Sequence, residues 1–527
     1  MRRVLLVSLS LASFVWITGC GSLYGSGSGG GGNTPDALSG QYAILLAGFD
    51  STGNPMGIAG SIKADGLGHI TGGEVDVNDN GVISSNSALA GSYAFDANGQ
   101  STLGTITLTN TVGTVAHPLA FGFSLKTSGA FGQIMSLDSN NFIAAGTMQL
   151  QSSSVFTLAN LAGDYIVTLN GRNGTTPTSA LGRLTLGTGG ASTNVTFDRS
   201  AAGMGTAGPT TGAAATVSFA AAGPDANGRG TFMLSLNDGL IPTATQNFAY
   251  YAITANRIIG VETDANKTMT ADFSRQQDTT PFTASTVVTA GSVFGMAGID
   301  LVADNEISAV GQLQLTGAGA GMGALTWDSN DAGIIPGNTN SIGLTVTFDP
   351  NTGRGTVAVP GGTAKGLAES VAFYLTASGT GFIMDTTTGT TNRAMAGTLT
   401  AQATGPFSAA TDLGGLAIVR SRGSSANDEF AFVGLFGATL TPGTYAFLFD
   451  QQFLLNGLQT QRDTVASGVT VGTIDANGRG TLGLPNGANT ATEVFYIVGP
   501  NQFVLIDISP AGSPLNGPSS VFFVDPQ

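Results

Sequence analysis

Along almost the whole chain, apolar and polar residues alternate in short runs. Phe232, Leu234 and Leu236 fall on one face of an extended segment, and Phe248, Tyr250 and Ala252 on one face of the next. A period of two marks a half-buried strand, and the Gly, Asn, Asp and Ser clusters between the runs mark turns. Between 164 and 274 the pattern predicts strands at 164–169, 180–186, 193–198, 214–220, 229–236, 246–253, 257–263 and 268–274. No twelve-residue window carries a capped 3.6-residue period, so long helices are not expected.

The strand pattern is itself repeated. The phrase DANGRGT stands at 225–231 and 475–481, with looser copies DANGQST at 96–102 and DPNTGRGT at 349–356. Their aspartates are 129, 124 and 126 positions apart. Phe156, Phe282 and Phe407 open a second marker, spaced by 126 and 125. Aromatic pairs at Phe121/Phe123, Tyr250/Tyr251, Phe373/Tyr374 and Phe495/Tyr496 form a third. Three markers in phase define repeated units, placed at 37–155, 156–281, 282–406 and 407–527. Unit one carries an internal echo, with GSIKADGLGHITG from Gly60 and GSYAFDANGQSTLG from Gly91, 31 residues on. The expected fold is all-β: four tandem antiparallel modules of about eight strands each, either up-and-down barrels or sandwiches. An eight-bladed propeller with two blades per unit would need about 62 residues per blade, long beside the usual roughly 40–50.

Turn chemistry accounts for the repeated phrase. In DANGRGT the Asp ends a strand and accepts backbone hydrogen bonds, Ala and Asn take the centre of a type I turn, and the first Gly supplies a positive φ. Pro350 in the variant DPNTG fits the φ near −65° that the turn wants. The second Gly, at 230, 355 and 480, fits a close backbone approach or a bulge.

Composition narrows the function classes. Only 10% of the 527 residues are charged, 42% are hydrophobic, and 79 are Gly. Thr, Ser, Asn and Gly take over the solvation that Lys and Glu usually provide, as in β-rich extracellular proteins. The formal net charge of −15 gives no basic footprint for nucleic acid and disfavours docking on acidic lipid heads.

The first twenty residues, MRRVLLVSLSLASFVWITGC, read as a secretory signal: Arg2 and Arg3, an apolar run from Val4 to Ile17, then Cys20. ITGC at 17–20 resembles the lipobox of bacterial lipoproteins, in which the Cys is lipid-modified and becomes the first mature residue. Cys20 is the only cysteine, so no intramolecular disulfide forms. Residues 21–36 are a Gly/Ser-rich tether. In that family an Asp after the Cys signals inner-membrane retention, so Gly21 fits an outer membrane or the cell surface.

Candidate chemistry is sparse. Asp76, Asn78 and Asn80, followed by Gly81, match the first half of an EF-hand-type calcium loop, with Glu74 nearby. Ser87 stands where the bidentate Glu would be, and Asn-Gly is equally a hairpin turn. Arg229, Arg354 and Arg479 recur at one place in three units, with Gln100 at that place in unit one. A repeated Arg could grip carboxylates or sugars, or simply be a solvated residue at a strand start. His69 and His117 belong to no HExxH or paired Cys/His spacing, and GxSxG is absent. The aromatic pairs could stack sugars but sit at core spacing.

Taken together, the lipobox, GQYAILLAGFD at 40–50, IAGSIKADGLGHITGGEVDVND at 58–79 and the DxNG hairpins resemble Gly-rich bacterial repeat lipoproteins. The resemblance is strongest in unit one and implies architecture and location, not an activity. The expected role is structural, adhesive or polymer- and glycan-binding, without catalysis and without a cofactor other than a calcium candidate. Expected partners are the membrane, through the lipid, and an extracellular polymer, glycan or protein. A glycan hydrolase sited in unit one and a small-ligand carrier with barrel pockets are the alternatives. Repetition favours the binding reading, because linked weak sites gain avidity.

Overall fold

The structure is a computed structural model. It describes residues 38–527 except 51–53, 97–101, 113–118, 138–141, 174–175, 202–203, 207, 240–244, 266, 278–281, 283–290, 301–304, 316–322, 332–338, 343, 362–367, 389–392, 424–429, 440–442, 455–457, 487–488 and 509–519. Cys20, the tether, Gln100 and His117 lie outside the described residues.

The described chain is almost entirely antiparallel strand, in four successive sheets. Each principal strand pairs with its sequence neighbour, except at the fourth strand of modules 2 and 3, and the last returns to the first. Thus Ser39–Asp50 pairs with Phe142–Leu150, Gly163–Asn173 with Lys267–Arg275, Ser292–Asp300 with Arg393–Ala401, and Ala417–Gly423 with Ser520–Pro526. Of the two architectures expected, modules 1 and 4 adopt the closed up-and-down barrel, and modules 2 and 3 are open sheets with the same up-and-down order. All eight strands expected in the second unit are present. Two short strands, Met204–Gly205 and Thr210–Thr211, pair antiparallel with its third strand.

Closure depends on the fourth strand. Modules 1 and 4 are closed barrels, and their fourth strands, Val82–Phe95 and Leu458–Val471, are 14 residues long. In module 2 the fourth strand, Ala215–Phe219, has only five residues and pairs with the fifth strand alone; in module 3 its place is taken by two short strands, Thr339–Ile342 on the third strand and Thr345–Asp349 on the fifth. The ladder of module 2 is therefore open beside its third strand, apart from one bridge between Ala191 and Ser218.

Packed side chains fill the barrels. In module 2, Phe219, Phe232, Phe248, Tyr250 and Phe273 meet at centroid distances of 4.6–6.5 Å. Several strands are apolar on both faces, because the outer face meets another module. In Phe430–Ala438, Phe432 and Phe436 point into barrel 4, whereas Ala431 and Val433 pack on Met135, Ile143 and Ala145 of module 1. Equivalent apolar joints connect module 1 to 2 (Ala43 and Ala59 with Tyr251, Ile253, Ile259 and Val261), 2 to 3 (Ile166 and Leu181 with Tyr374 and Met384) and 3 to 4 (Val293 and Val310 with Val494, Tyr496 and Val504). Because module 4 also packs on module 1, the four modules close into a ring.

Candidate functional site

The repeated hairpin forms as its residue types dictate. Asp225 Oδ1 accepts from the backbone N–H of Asn227 (2.8 Å) and Arg229 (3.0 Å), and Gly228 takes φ +78°. Asp475 accepts likewise from Asn477 and Arg479, with Gly478 at +77°. The second Gly makes room for a ring rather than a bulge. A Cβ on Gly230, Gly355 or Gly480 would lie 2.5, 2.0 or 2.4 Å from the core aromatic Tyr250, Phe373 or Phe495. The linker phenylalanines close the other side, since a Cβ on Gly228, Gly353 or Gly478 would lie 2.7, 2.7 or 3.1 Å from Phe156, Phe282 or Phe407. Two sequence markers are in phase because they touch.

The hairpin presents its Arg to the preceding module. Arg229 donates through Nε and Nη2 to the two carboxylate oxygens of Asp76, both at 2.8 Å, and Tyr251 Oη donates to Asp76 Oδ2 at 2.6 Å. Arg354 and Tyr374 hold Asp198 at 2.7–2.8 Å, and Arg479 and Tyr496 hold Asp328 at 2.7–2.8 Å. Each of the three carboxylate side chains is 1% exposed, and the arginines 15–20%. Bidentate pairing plus a phenol hydrogen bond is what a buried carboxylate needs. The aromatic pair thus divides: Tyr250, Phe373 and Phe495 fill a barrel, while Tyr251, Tyr374 and Tyr496 serve a joint. Burial pushes the Tyr251 and Tyr374 hydroxyls well above the ordinary phenol range, and the neighbouring aspartates add to it, so both remain donors.

A glutamine completes each joint. Gln151 Nε2 donates to the carbonyls of Asn227 (3.1 Å) and Ala252 (2.7 Å) in the next module. Gln276 does the same to Thr352 and Leu375, and Gln402 to Asn477 and Ile497. This repeated Gln escaped the sequence reading, although its spacing of 125 and 126 was legible.

The calcium candidates serve the first joint. Asp76 is held by Arg229 and Tyr251. Asn78 donates to the carbonyls of Glu262 and Lys267 and accepts from Thr268, all in module 2. Asn80, at φ +48°, and Gly81 form the hairpin turn that Asn-Gly chemistry favours. Glu74 faces the turn of module 2 near Asn227 and Asp225, and burial pushes its carboxyl up to about 7. His69 is exposed, with Nδ1 2.8 Å from Asp65 Oδ2.

The fourth joint departs from this pattern. Module 4 keeps the aspartate as Asp450, which pairs with Val433 as Asp198 pairs with Leu181. Module 1 lacks both partners. The ladder places Leu103, not Gln100, at the arginine position, because the hairpin from Asp96 is longer: Asp96 N–H bonds to the carbonyl of Leu103 as Asp225 N–H bonds to that of Arg229. Ser124 takes the tyrosine position, buried and with no partner for its hydroxyl among the described residues. Asp450 is approached by Arg462 of its own module (3.5 Å) and accepts from the Asp463 N–H, while Arg462 also reaches Asp96 of module 1 at 3.1 Å. Leu103 packs on Ile418, Leu435 and Leu448, and Ser136 Oγ donates to Gln452 Oε1 at 2.8 Å.

The ring encloses a half-open axial cavity of about 330 Å³, lined by all four modules. Its walls come mainly from the first and eighth strands. Small and hydroxyl residues dominate, among them Ala47, Thr168, Thr270 and Ala297, with Arg172, Arg257, Asp272 and Arg420. Among the described residues no helix is long and apolar enough to cross a membrane.

No family model and no curated protein matches the chain. Among solved structures, it is similar to the isotype 1 transferrin binding protein B from serogroup B Neisseria meningitidis, at 10% identity and a TM-score of 0.17. That match covers 76% of this chain and 84% of that one. The intact Ap-TbpB, with N and C lobes, matches at 10% identity and a TM-score of 0.17 over 76% of this chain and 85% of that chain. Likeness at this level carries no argument about role.

Proposed function

We propose that the chain is an envelope lipoprotein that displays a ring of barrels as a non-catalytic platform for binding an extracellular protein or polymer. One observation carries the reading. The side chains whose repetition resembles three weak ligand sites, Arg229, Arg354 and Arg479 with their tyrosines, are spent on buried joints. Repetition therefore serves assembly, and the ring acts as one body rather than as beads with separable affinities. Cys20 and the tether at 21–36 supply the membrane attachment.

Two measurements test it. Replacing Cys20 by Ala should release the protein from the membrane fraction and abolish labelling by a radioactive fatty acid; retention of both contradicts the anchor. Titration calorimetry against cell-wall polymers, soluble glycans and secreted proteins should give saturation near one partner per chain. A stoichiometry near one per module would restore the repeat-valency reading, and turnover of any glycan would replace platform by enzyme.

A further inference from the structure

We infer that the gap in the wall of module 2 is a binding site for a neutral glycan, an inference that rests on the platform reading above and names its ligand class. The gap is bounded at both ends. Thr196 and Phe197 of the third strand pair with Thr211 and Thr210, and Ala191 bridges to Ser218 on the fourth strand. Between these closures, residues 192–195 and 212–217 have no ladder pair with each other. Both sides depart from regular strand here. Gly212, at φ +65°, opens the 3-10 turn Gly212–Ala214, and Asn194, at φ +52°, stands where the register shifts between Arg183 and Thr185. The opening is a cleft of about 860 Å³, lined also by Asn351 and Thr352 from the turn of module 3. It therefore lies beside the second joint, and the clasping Gln276 accepts from Arg183 Nε at 2.9 Å.

The lining decides the chemistry. Its two charged groups cancel: Arg183 meets Asp164 at 3.1 Å, and Asp164 also accepts from Thr185. A charged ligand finds no unmatched counter-charge there. The apolar side chains, Val195 and Ala215, belong to the core of module 2, so a hydrophobic ligand finds little surface to cover. An extended peptide cannot add as a further strand, because pairing at both ends closes the stretch 192–195. What the cleft offers is uncharged donors and acceptors. Thr193, Thr211 and Thr216 are exposed, and among the described residues their hydroxyls bond to no other protein group. Asn194 gives one amide proton to Thr185 at 3.2 Å and keeps its second donor and its carbonyl. The unpaired backbone of the gap adds N–H and C=O groups that need partners. An uncharged molecule dense in hydroxyls matches this set. The size lies within the range of ligand sites, and an open cleft admits a segment of a longer polymer. Among the described residues no aromatic ring lines it, so recognition rests on hydrogen bonds rather than stacking.

The test is titration calorimetry of the purified full chain with the neutral trisaccharides cellotriose, maltotriose and triacetylchitotriose, beside anionic trigalacturonate and the peptide tetra-alanine. One site per chain is expected for at least one neutral sugar, and none for trigalacturonate or the peptide. Thr193→Val combined with Thr216→Val removes two exposed hydroxyls and should weaken binding by about tenfold, the scale of two lost neutral hydrogen bonds. Asn194→Gly keeps the positive φ but removes the amide, and should weaken binding by about threefold. Thr107→Val, on the exposed face of module 1, should change nothing. Circular dichroism checks that each variant is folded. Silence with all the neutral sugars, binding of trigalacturonate or the peptide in their place, or affinity unchanged in the folded Thr193→Val/Thr216→Val protein overturns the site. The platform reading fails separately. A sugar bound as tightly by that double variant would leave the platform standing and overturn this site alone, whereas cleavage of any trisaccharide would overturn the platform itself.

Discussion

Three of the ring's joints and the fourth solve the same problem with different residues. Between modules 1 and 2, 2 and 3, and 3 and 4, a buried aspartate receives a bidentate arginine and a tyrosine from the following module. Between modules 4 and 1 the aspartate remains, but the following module offers Leu103 and Ser124. The cation comes from the aspartate's own module as Arg462, 38% exposed, and reaches Asp96 across the joint. A repeated joint can be copied with its module. The joint that closes the ring connects the two ends of the series, and here apolar packing has replaced the clasp.

The largest contrast is predicted between the two kinds of arginine. Arg354→Met leaves Asp198 buried without its ion-pair partner and should cost about 3–5 kcal/mol of unfolding free energy in urea titrations. Adding Asp198→Asn should recover a large part, because the stranded charge is removed. Arg462→Met should cost less than Arg354→Met, because Arg462 is 38% exposed and approaches Asp450 at 3.5 Å rather than through a bidentate pair. Equal losses at the two sites would erase the distinction.

The hydroxyl positions should differ in the same sense but less. Tyr374→Phe removes a 2.8 Å hydrogen bond to Asp198 and should cost about 1–3 kcal/mol, whereas Ser124→Ala removes an unpartnered buried hydroxyl and should be neutral or slightly stabilising. Denaturant midpoints of the two variants read this directly.

A smaller effect is expected from pH. Burial pushes Asp96 up to about 6, with Asp463 and Asp450 adding repulsion, and burial pushes Glu74 up to about 7. Both carboxyls hold their proton more tightly in the folded chain. Their stabilising effect is complete below the ordinary carboxylate range and is lost as pH rises through about 6 and about 7. The melting temperature should therefore be higher at pH 5 than at pH 8. Asp96→Asn should remove the part of the decline near pH 6 and leave the part near pH 7. A melting temperature that rises steadily from pH 5 to 8 would contradict the assignment.

Much of the fold was legible. Period-two alternation located the strands of module 2, and Asp-x-Asn-Gly located the hairpins, because both signals are local. The ring was not legible. Apolar residues on both faces, as at Ala431 to Phe436, fit a fully buried strand but do not say what lies on the outer face. Arg229 and Asp76 are 153 residues apart, and nothing local joins them. The placement of the arginine position in module 1 at Gln100 failed for a related reason. Alignment by turn residues assumes equal hairpins, and the extra residues before Leu103 show only in the ladder.

Ring closure is the central claim, and thiol labelling tests it most directly. With Cys20 replaced by Ser, a single cysteine at Ala431 lies buried against module 1, whereas one at Thr107 lies on the exposed face of module 1. A closed ring predicts that Ala431→Cys reacts with a maleimide at least about a hundredfold more slowly than Thr107→Cys under native conditions. Equal rates in folded protein would mean that modules 4 and 1 stand apart, and the ring, with its axial cavity, would be wrong.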